Sequence, residues 1–113
     1  MTEHAGVPVV AVSGEVDLHA VPKFRAAMQD AESKAGGEVS LVLVDLSEVD
    51  FMDSSGLGVL IGHHRELEER GGELRIVTGE AALKILRLTS LDTVFGLYGS
   101  REEAFTGHAE GLS

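Results

Sequence analysis

Eight residues, Val39 to Leu46, read V-S-L-V-L-V-D-L and constrain the fold more than any other stretch of this 113-residue chain. The run is too short to be stable as a lone helix, and it is rich in β-branched residues. A strand covered on both faces explains such near-continuous apolarity, and strands of that kind lie at the centre of parallel sheets. Parallel neighbours need crossover connections, usually helices. Strand and helix should therefore alternate on both sides of the run.

They do. Val7 to Val12 (V-P-V-V-A-V) reads as a strand, with Pro8 at its start or on a free edge. It runs into Ser13-Gly14-Glu15-Val16-Asp17, where Gly14 suits a bulge or tight bend and two acids bracket an inward Val16. From Val21 to Ala35, Val21, Phe24, Ala27, Met28 and Ala31 recur at helical steps, with Pro22 in the first turn and Gly36-Gly37 as the stop. After the central strand, Ser47 to Met52 reads as a connection anchored by Val49 and Phe51. Ser54 to Arg70 follows as a helix whose inner stripe is Leu57, Leu60, Ile61, His64 and Leu67, and Gly71-Gly72 ends it. Glu73 to Thr78 is a strand, and Glu80 to Leu88 a short helix with Ala82, Leu83, Ile85 and Leu86 inward. Thr89 to Thr93 is a turn and Val94 to Tyr98 a last strand. Ser100 then caps a final helix through Phe105, with Glu103 at the capping-box position. The expected fold is α/β: a mixed sheet of four or five strands with four helices packed mainly on one face. It forms one domain over residues 1–113, with 1–6 and 107–113 as loose ends.

Composition narrows the function. A net charge of −10 with no clustered basic stripe argues against binding nucleic acid or anionic membranes directly. There is no cysteine, which removes disulfides, thiolate chemistry and cysteine-held metals, and fits a cytoplasmic location. The N-terminus, M-T-E-H-A-G-V-P, has no signal-peptide pattern, and no apolar run approaches the ~20 residues a membrane helix needs. A domain this acidic is expected to be a monomer.

The chemistry gathers where the central strand hands over to the second helix. Asp53, Ser54, Ser55 and Gly56 put a carboxylate and two hydroxyls at a helix N-terminus, the edge where open α/β folds place ligands and partners. One such residue suffices as an N-cap, and here there are three. Gly58 and Gly62 follow, four apart, with Val59 off the main inner stripe. Glycine inside a helix costs up to ~1 kcal/mol against alanine. Close packing of another helix or of a partner on this face would justify that cost. A seryl phosphate would suit the position, since it adds about −1.5 to −2 charge beside a helix N-terminus that tolerates anions.

Other chemistries fit less well. A serine nucleophile lacks the G-x-S-x-G elbow, and the helix carries His63 and His64 away from its first turn. His64 with Glu68, or Glu15 with His19, has a four-residue metal-ligand spacing, but two ligands do not make a site. Asp53 as a phosphoacceptor of the receiver type would need further acids, for which Glu15 and Asp17 are candidates, and a lysine after a later strand. Gly79-Glu80 stands there instead.

The segment Phe51-Met52-Asp53-Ser54-Ser55-Gly56-Leu57-Gly58-Val59-Leu60 resembles the signature of bacterial anti-sigma factor antagonists, the small single-domain STAS proteins. Ser13-Gly14-Glu15-Val16-Asp17 resembles their G-E-[LIV]-D turn. Gly72 to Val77 and Leu88 to Phe95 follow the family's rhythm, so the resemblance covers nearly the whole chain. It implies a STAS fold and a regulatory protein without enzymatic activity or cofactor. Its partners would be an ATP-dependent anti-sigma factor serine kinase and a PP2C-type phosphatase. The unmodified form would bind the kinase and release its sigma factor, and phosphorylation would expel it. The resemblance implies Ser54 as the modified residue, with Ser55 as the lesser candidate. It places Gly14, Glu15, Asp17, Asp53, Ser54, Ser55, Gly56, Gly58, Val59 and Gly62 at the partner surface. STAS-like domains also serve as structural subunits of stress-signalling or lipid-transport assemblies without a reversible phosphate, which is the alternative. The family's usual first strand would be short or missing here, because only six residues precede Val7.

Overall fold

The structure, a computed structural model, describes residues 2–4, 6–34 and 41–107. Its strands are β1 (Thr2–His4), β2 (Val7–Val16), β3 (Leu41–Met52), β4 (Glu73–Thr78) and β5 (Gly96–Tyr98). Its helices are α1 (Val21–Lys34), α2 (Ser54–Glu69), α3 (Glu80–Leu88) and α4 (Arg101–Thr106), with a single 3-10 turn at Leu91–Thr93. The sheet runs β1-β2-β3-β4-β5 in spatial order. The four strands from β2 to β5 are mutually parallel, and β1 is antiparallel to β2. The expected glycine stop after α1 and the start of the central strand at Val39 lie outside the described residues.

The apolar run does sit mid-sheet. Val42, Leu43, Val44 and Leu46 of β3 have no exposed surface, because β2 and β4 flank the strand and both of its faces are covered. On one face, α1, α2 and α3 bury Phe24, Met28, Leu57, Leu60, Leu67, Ala82 and Leu86 against Val10, Val44, Leu46 and Ile76. On the other face, α4 seats Ala104 against Val9, Leu43 and Val77. Three helices on one face and one short helix on the other match the expected arrangement. Ser100 caps α4 as anticipated, accepting the Glu103 N–H at 3.1 Å. Arg75 helps hold that helix down by donating to the Ala104 carbonyl at 2.8 Å. At the other end of the sheet's C-terminal edge, Gly79 leads into α3 with no room for a side chain. A Cβ there would stand 2.5 Å from the Ser47 carbonyl oxygen.

Three boundaries differ from the sequence reading, and the first strand is short, as expected. β2 does not stop at Val12 but continues to Val16, and Ser47 to Met52 is not a connection but the second half of β3. The two extensions pair with each other, which neither segment's own pattern reveals. The last strand begins at Gly96, because Val94 and Phe95 close the 3-10 turn through N–H bonds to the Leu91 carbonyl. The first strand is present but only three residues long, and Pro8, second in β2, faces Glu3 across it.

Asp45 ties β3 to the start of α4. Its carboxylate accepts the Ser47 N–H (2.9 Å), the Ser47 hydroxyl (2.6 Å) and Arg101 Nε (2.6 Å). Burial pushes this carboxyl's pKa up, but the Ser47 hydroxyl and N–H and the Arg101 guanidinium outweigh it and hold the pKa below its ordinary value. A carboxyl depressed on folding stabilises the fold above its unfolded pKa, and that contribution is lost as pH falls through the folded value. Asp45→Asn should therefore lower Tm at neutral pH, and the gap to the parent should close below about pH 4. Thermal melts across pH 3–7 measure this.

Candidate functional site

β2 and β3 outrun the rest of the sheet. Pairing of β3 with β4 ends at Leu46 and Thr78, whereas β2 and β3 stay paired to Val16 and Met52. Register shifts at Ala11/Ser13 and Gly14/Glu15 accompany the extension. The second falls where Gly14 takes φ +74°, a conformation open to glycine at little cost, so the expected bulge is present. The product is a two-stranded ribbon beyond the C-terminal edge of the sheet. At its tip the Asp53 N–H donates to the Val16 carbonyl at 3.2 Å. This bond sets the Gly14–Asp17 turn beside the Asp53–Gly56 motif, so segments nearly forty residues apart share one rim. Asp17 shapes the next turn, its Oδ1 accepting the N–H groups of His19 (3.1 Å) and Ala20 (3.2 Å).

Asp53 is the N-cap of α2. With extended backbone (φ −94°, ψ −175°), its Oδ1 accepts the N–H of Ser55 at 2.9 Å and of Gly56 at 3.3 Å. The Ser55 hydroxyl also donates to Oδ1. That hydroxyl, opposed by partial desolvation and helped by the two N–H groups, holds the Asp53 pKa below its ordinary value. The two serines are thereby separated. Ser55 is half-buried and its hydroxyl is committed to the cap. Ser54, at the first helical position, is exposed, and among the described residues its hydroxyl makes no hydrogen bond.

The glycines divide too. Gly56 is buried, and a Cβ there would lie 2.8 Å from Val16 Cγ1 and 2.9 Å from Met52 Cγ. Its smallness lets α2 rest on the ribbon. Gly58 and Gly62 are exposed, and a Cβ at either would meet nothing within 4 Å. They form one wall of a shallow hollow of about 240 Å³ between α1 and α2, with Arg25, Gln29, Val59, His63 and Glu66. Val59 is not off the inner face as expected but is 3% exposed and sits in the core. No helix among the described residues packs closely on Gly58 or Gly62.

His64 was expected on the inner stripe of α2, but His63 is the buried histidine. Its Nδ1 lies 2.8 Å from Glu32 Oε1 of α1, and Glu32 is buried with it. Glu66 Oε2 stands 3.7 Å from the same nitrogen, so the three side chains offer possible cation ligands within 4.8 Å of one another. No spacing rule pointed to this group, because Glu32 comes from another helix. His64 is only partly covered. It meets Glu68 at 3.2 Å and the edge of Phe95 at a ring separation of 5.0 Å, and its Nδ1 is buried without a hydrogen bond. Glu15 lies in β2 and His19 in a turn, so the helical spacing considered for that pair does not exist. No helix among the described residues is long and apolar enough to cross a membrane.

A mixed sheet with parallel crossovers, carrying a capped D-S-S-G at the end of its longest ribbon, defines a class. The chain belongs to the STAS domain family, whose model matches residues 1–104. It is 30% identical over 107 residues to the anti-sigma F factor antagonist of Paenibacillus polymyxa, covering 94% of this chain and 90% of that protein. Its fold matches the crystal structure of an anti-sigma factor antagonist from Mycobacterium paratuberculosis with a TM-score of 0.80 and 33% identity, covering 94% of this chain and 88% of the other. It also matches the Bacillus cell fate determinant SpoIIAA in its phosphorylated form, with a TM-score of 0.66 and 27% identity, covering 93% and 95% of the two chains. The relatives are thus regulatory binding proteins, and one of them was solved carrying phosphate.

Proposed function

We propose that this chain is an anti-sigma factor antagonist switched by phosphorylation of Ser54. In its unmodified form it binds an ATP-dependent anti-sigma factor serine kinase and frees that kinase's sigma factor. Phosphate on Ser54 ends the binding, and a PP2C-type phosphatase restores it. One observation carries the choice of residue. Of the two hydroxyls in the motif, the Ser55 hydroxyl is spent on the Asp53 cap, and the Ser54 hydroxyl is exposed and unbonded. A phosphoryl group added to Ser54 breaks no bond of the cap, so the fold stays and only the surface changes. The similarity to a relative solved in a phosphorylated form supports that a chain of this shape accommodates the modification. The test is incubation of the purified chain with its anti-sigma factor and ATP. One phosphate per chain, mapped by mass spectrometry to Ser54, is the expected result. No incorporation, or incorporation at Ser55 alone, would sink the reading.

The partner surface extends from the rim down α2. Among the described residues nothing packs where a side chain at position 58 or 62 would begin, because both sites are open. Gly58→Ala and Gly62→Ala should each raise stability by up to about 1 kcal/mol through helix propensity. If the kinase packs on this face, each should also weaken its binding several-fold. Melting temperature and titration calorimetry on the same variants read the two effects apart, and a gain in stability with unchanged affinity would remove these glycines from the interface.

A further inference from the structure

We infer that Leu18 and Phe51 are the apolar anchors of the partner surface, and that the anti-sigma factor receives them in an apolar recess flanked by lysine or arginine. The inference rests on the proposed function and specifies the chemistry of its partner. Leu18 is 69% exposed and Phe51 49%, while Phe24 and Phe95 are buried to within a few per cent. Phe51 pairs in register with Glu15 on the ribbon, next to Met52, whose side chain faces the core. Between the buried Val49 and Met52, Asp50 and Phe51 are the exposed residues of the strand. Leu18 lies in the turn that Asp17 braces through the His19 and Ala20 N–H groups, so its backbone is held in place without a partner. Ordering this loop on binding therefore costs little. Both residues sit on the rim that carries Ser54.

The charge around them selects the occupant. Residues 13–19 and 47–54 contain Glu15, Asp17, Glu48, Asp50 and Asp53 and no lysine or arginine. Among the described residues none of these five carboxylates forms an ion pair, although Lys23 and Lys84 line hollows shared with Glu15 and Asp50. Two large apolar side chains in two acidic segments that meet at the ribbon's tip fit a partner with the reverse pattern. A second copy of this chain would bring like charges together at the same place. The apolar contacts supply affinity at the centre, and the charges supply steering and orientation at the edge.

The test uses the full chain and each purified anti-sigma factor of its own cell, with ADP bound. Binding is measured by titration calorimetry from 50 to 500 mM salt. The parent should bind one of these factors with an affinity that falls as salt rises. Leu18→Ser and Phe51→Ser should each weaken it about tenfold or more, and the double variant about 100-fold. Leu88→Ser removes an equally exposed side chain, 75% exposed, from the far end of α3 and should change nothing. Unchanged melting temperatures show that the exposed substitutions leave the fold intact. Parent-like affinity of the Phe51 and Leu18 variants overturns the anchor assignment while leaving the proposed function standing. Salt-independent binding overturns the basic recess. Self-association of the parent that Phe51→Ser abolishes assigns the surface to a second copy instead, and a parent that binds no anti-sigma factor overturns the inference and the function together.

Discussion

Ser54→Asp should weaken binding to the anti-sigma factor by at least about 100-fold, whereas Ser54→Ala should bind as the unmodified chain does and accept no phosphate. The expectation follows from where the hydroxyl stands. Ser54 is exposed at the first position of α2, and the backbone donors beyond it already serve Asp53. A new anion at Ser54 thus finds no free nest of N–H groups and sits beside an existing carboxylate. A kinase acting on this hydroxyl must bring a nucleotide's phosphates close to it. In the product complex two anions then face each other across a desolvated interface. Like charges so placed cost several kcal/mol, and each 1.4 kcal/mol is about a factor of ten. Aspartate carries a single charge, so true phosphoserine should weaken binding further than Ser54→Asp does. Titration calorimetry with ADP present reads all three forms. Retention of parent affinity by Ser54→Asp would mean that charge at this position is not the switch.

Much of this site was legible before the structure, and the parts that were not share a cause. The covered centre of β3 announced itself because both faces of the strand are apolar, and the helix-starting D-S-S-G announced itself through capping chemistry. The ribbon did not. Its buried residues on β3 are Leu46, Val49 and Met52, three apart where a flat strand would place them two apart. The register shifts opposite Ser13 and Glu15 break the pleat's alternation, and only pairing between distant segments reveals the strand. The two serines likewise look equivalent in sequence. One donates back to Asp53 and the other points outward, a difference that lies in the cap geometry. The burial of His63 was hidden for a similar reason. A stripe drawn on hydrophobicity alone cannot register a buried histidine whose partner, Glu32, is contributed by a helix 31 residues earlier.

That buried pair should prove an energetic unit. Glu32→Met and His63→Leu should each lower stability by about 1–3 kcal/mol, because each leaves the other group buried without its 2.8 Å partner. In a domain near this size a kilocalorie corresponds to roughly 4 °C or more in Tm. Glu32→Met combined with His63→Leu replaces both polar groups by apolar ones of similar bulk and should recover most of the loss, since no orphaned group remains. The double-mutant cycle then reports a coupling of at least ~0.5 kcal/mol, as contacting residues in one network do. The stability test is separable from the switch, because His63 lies about two and a half turns along α2 from Ser54 and the cap bonds of Asp53 do not involve it. Losses that simply add would mean that the α1–α2 contact is carried by its apolar cluster, with Glu32 and His63 as tolerated passengers. Coupled losses would mean that the hydrogen bond fixes how α2 is rotated, and hence which residues of that helix, Gly58 and Gly62 among them, face outward to a partner.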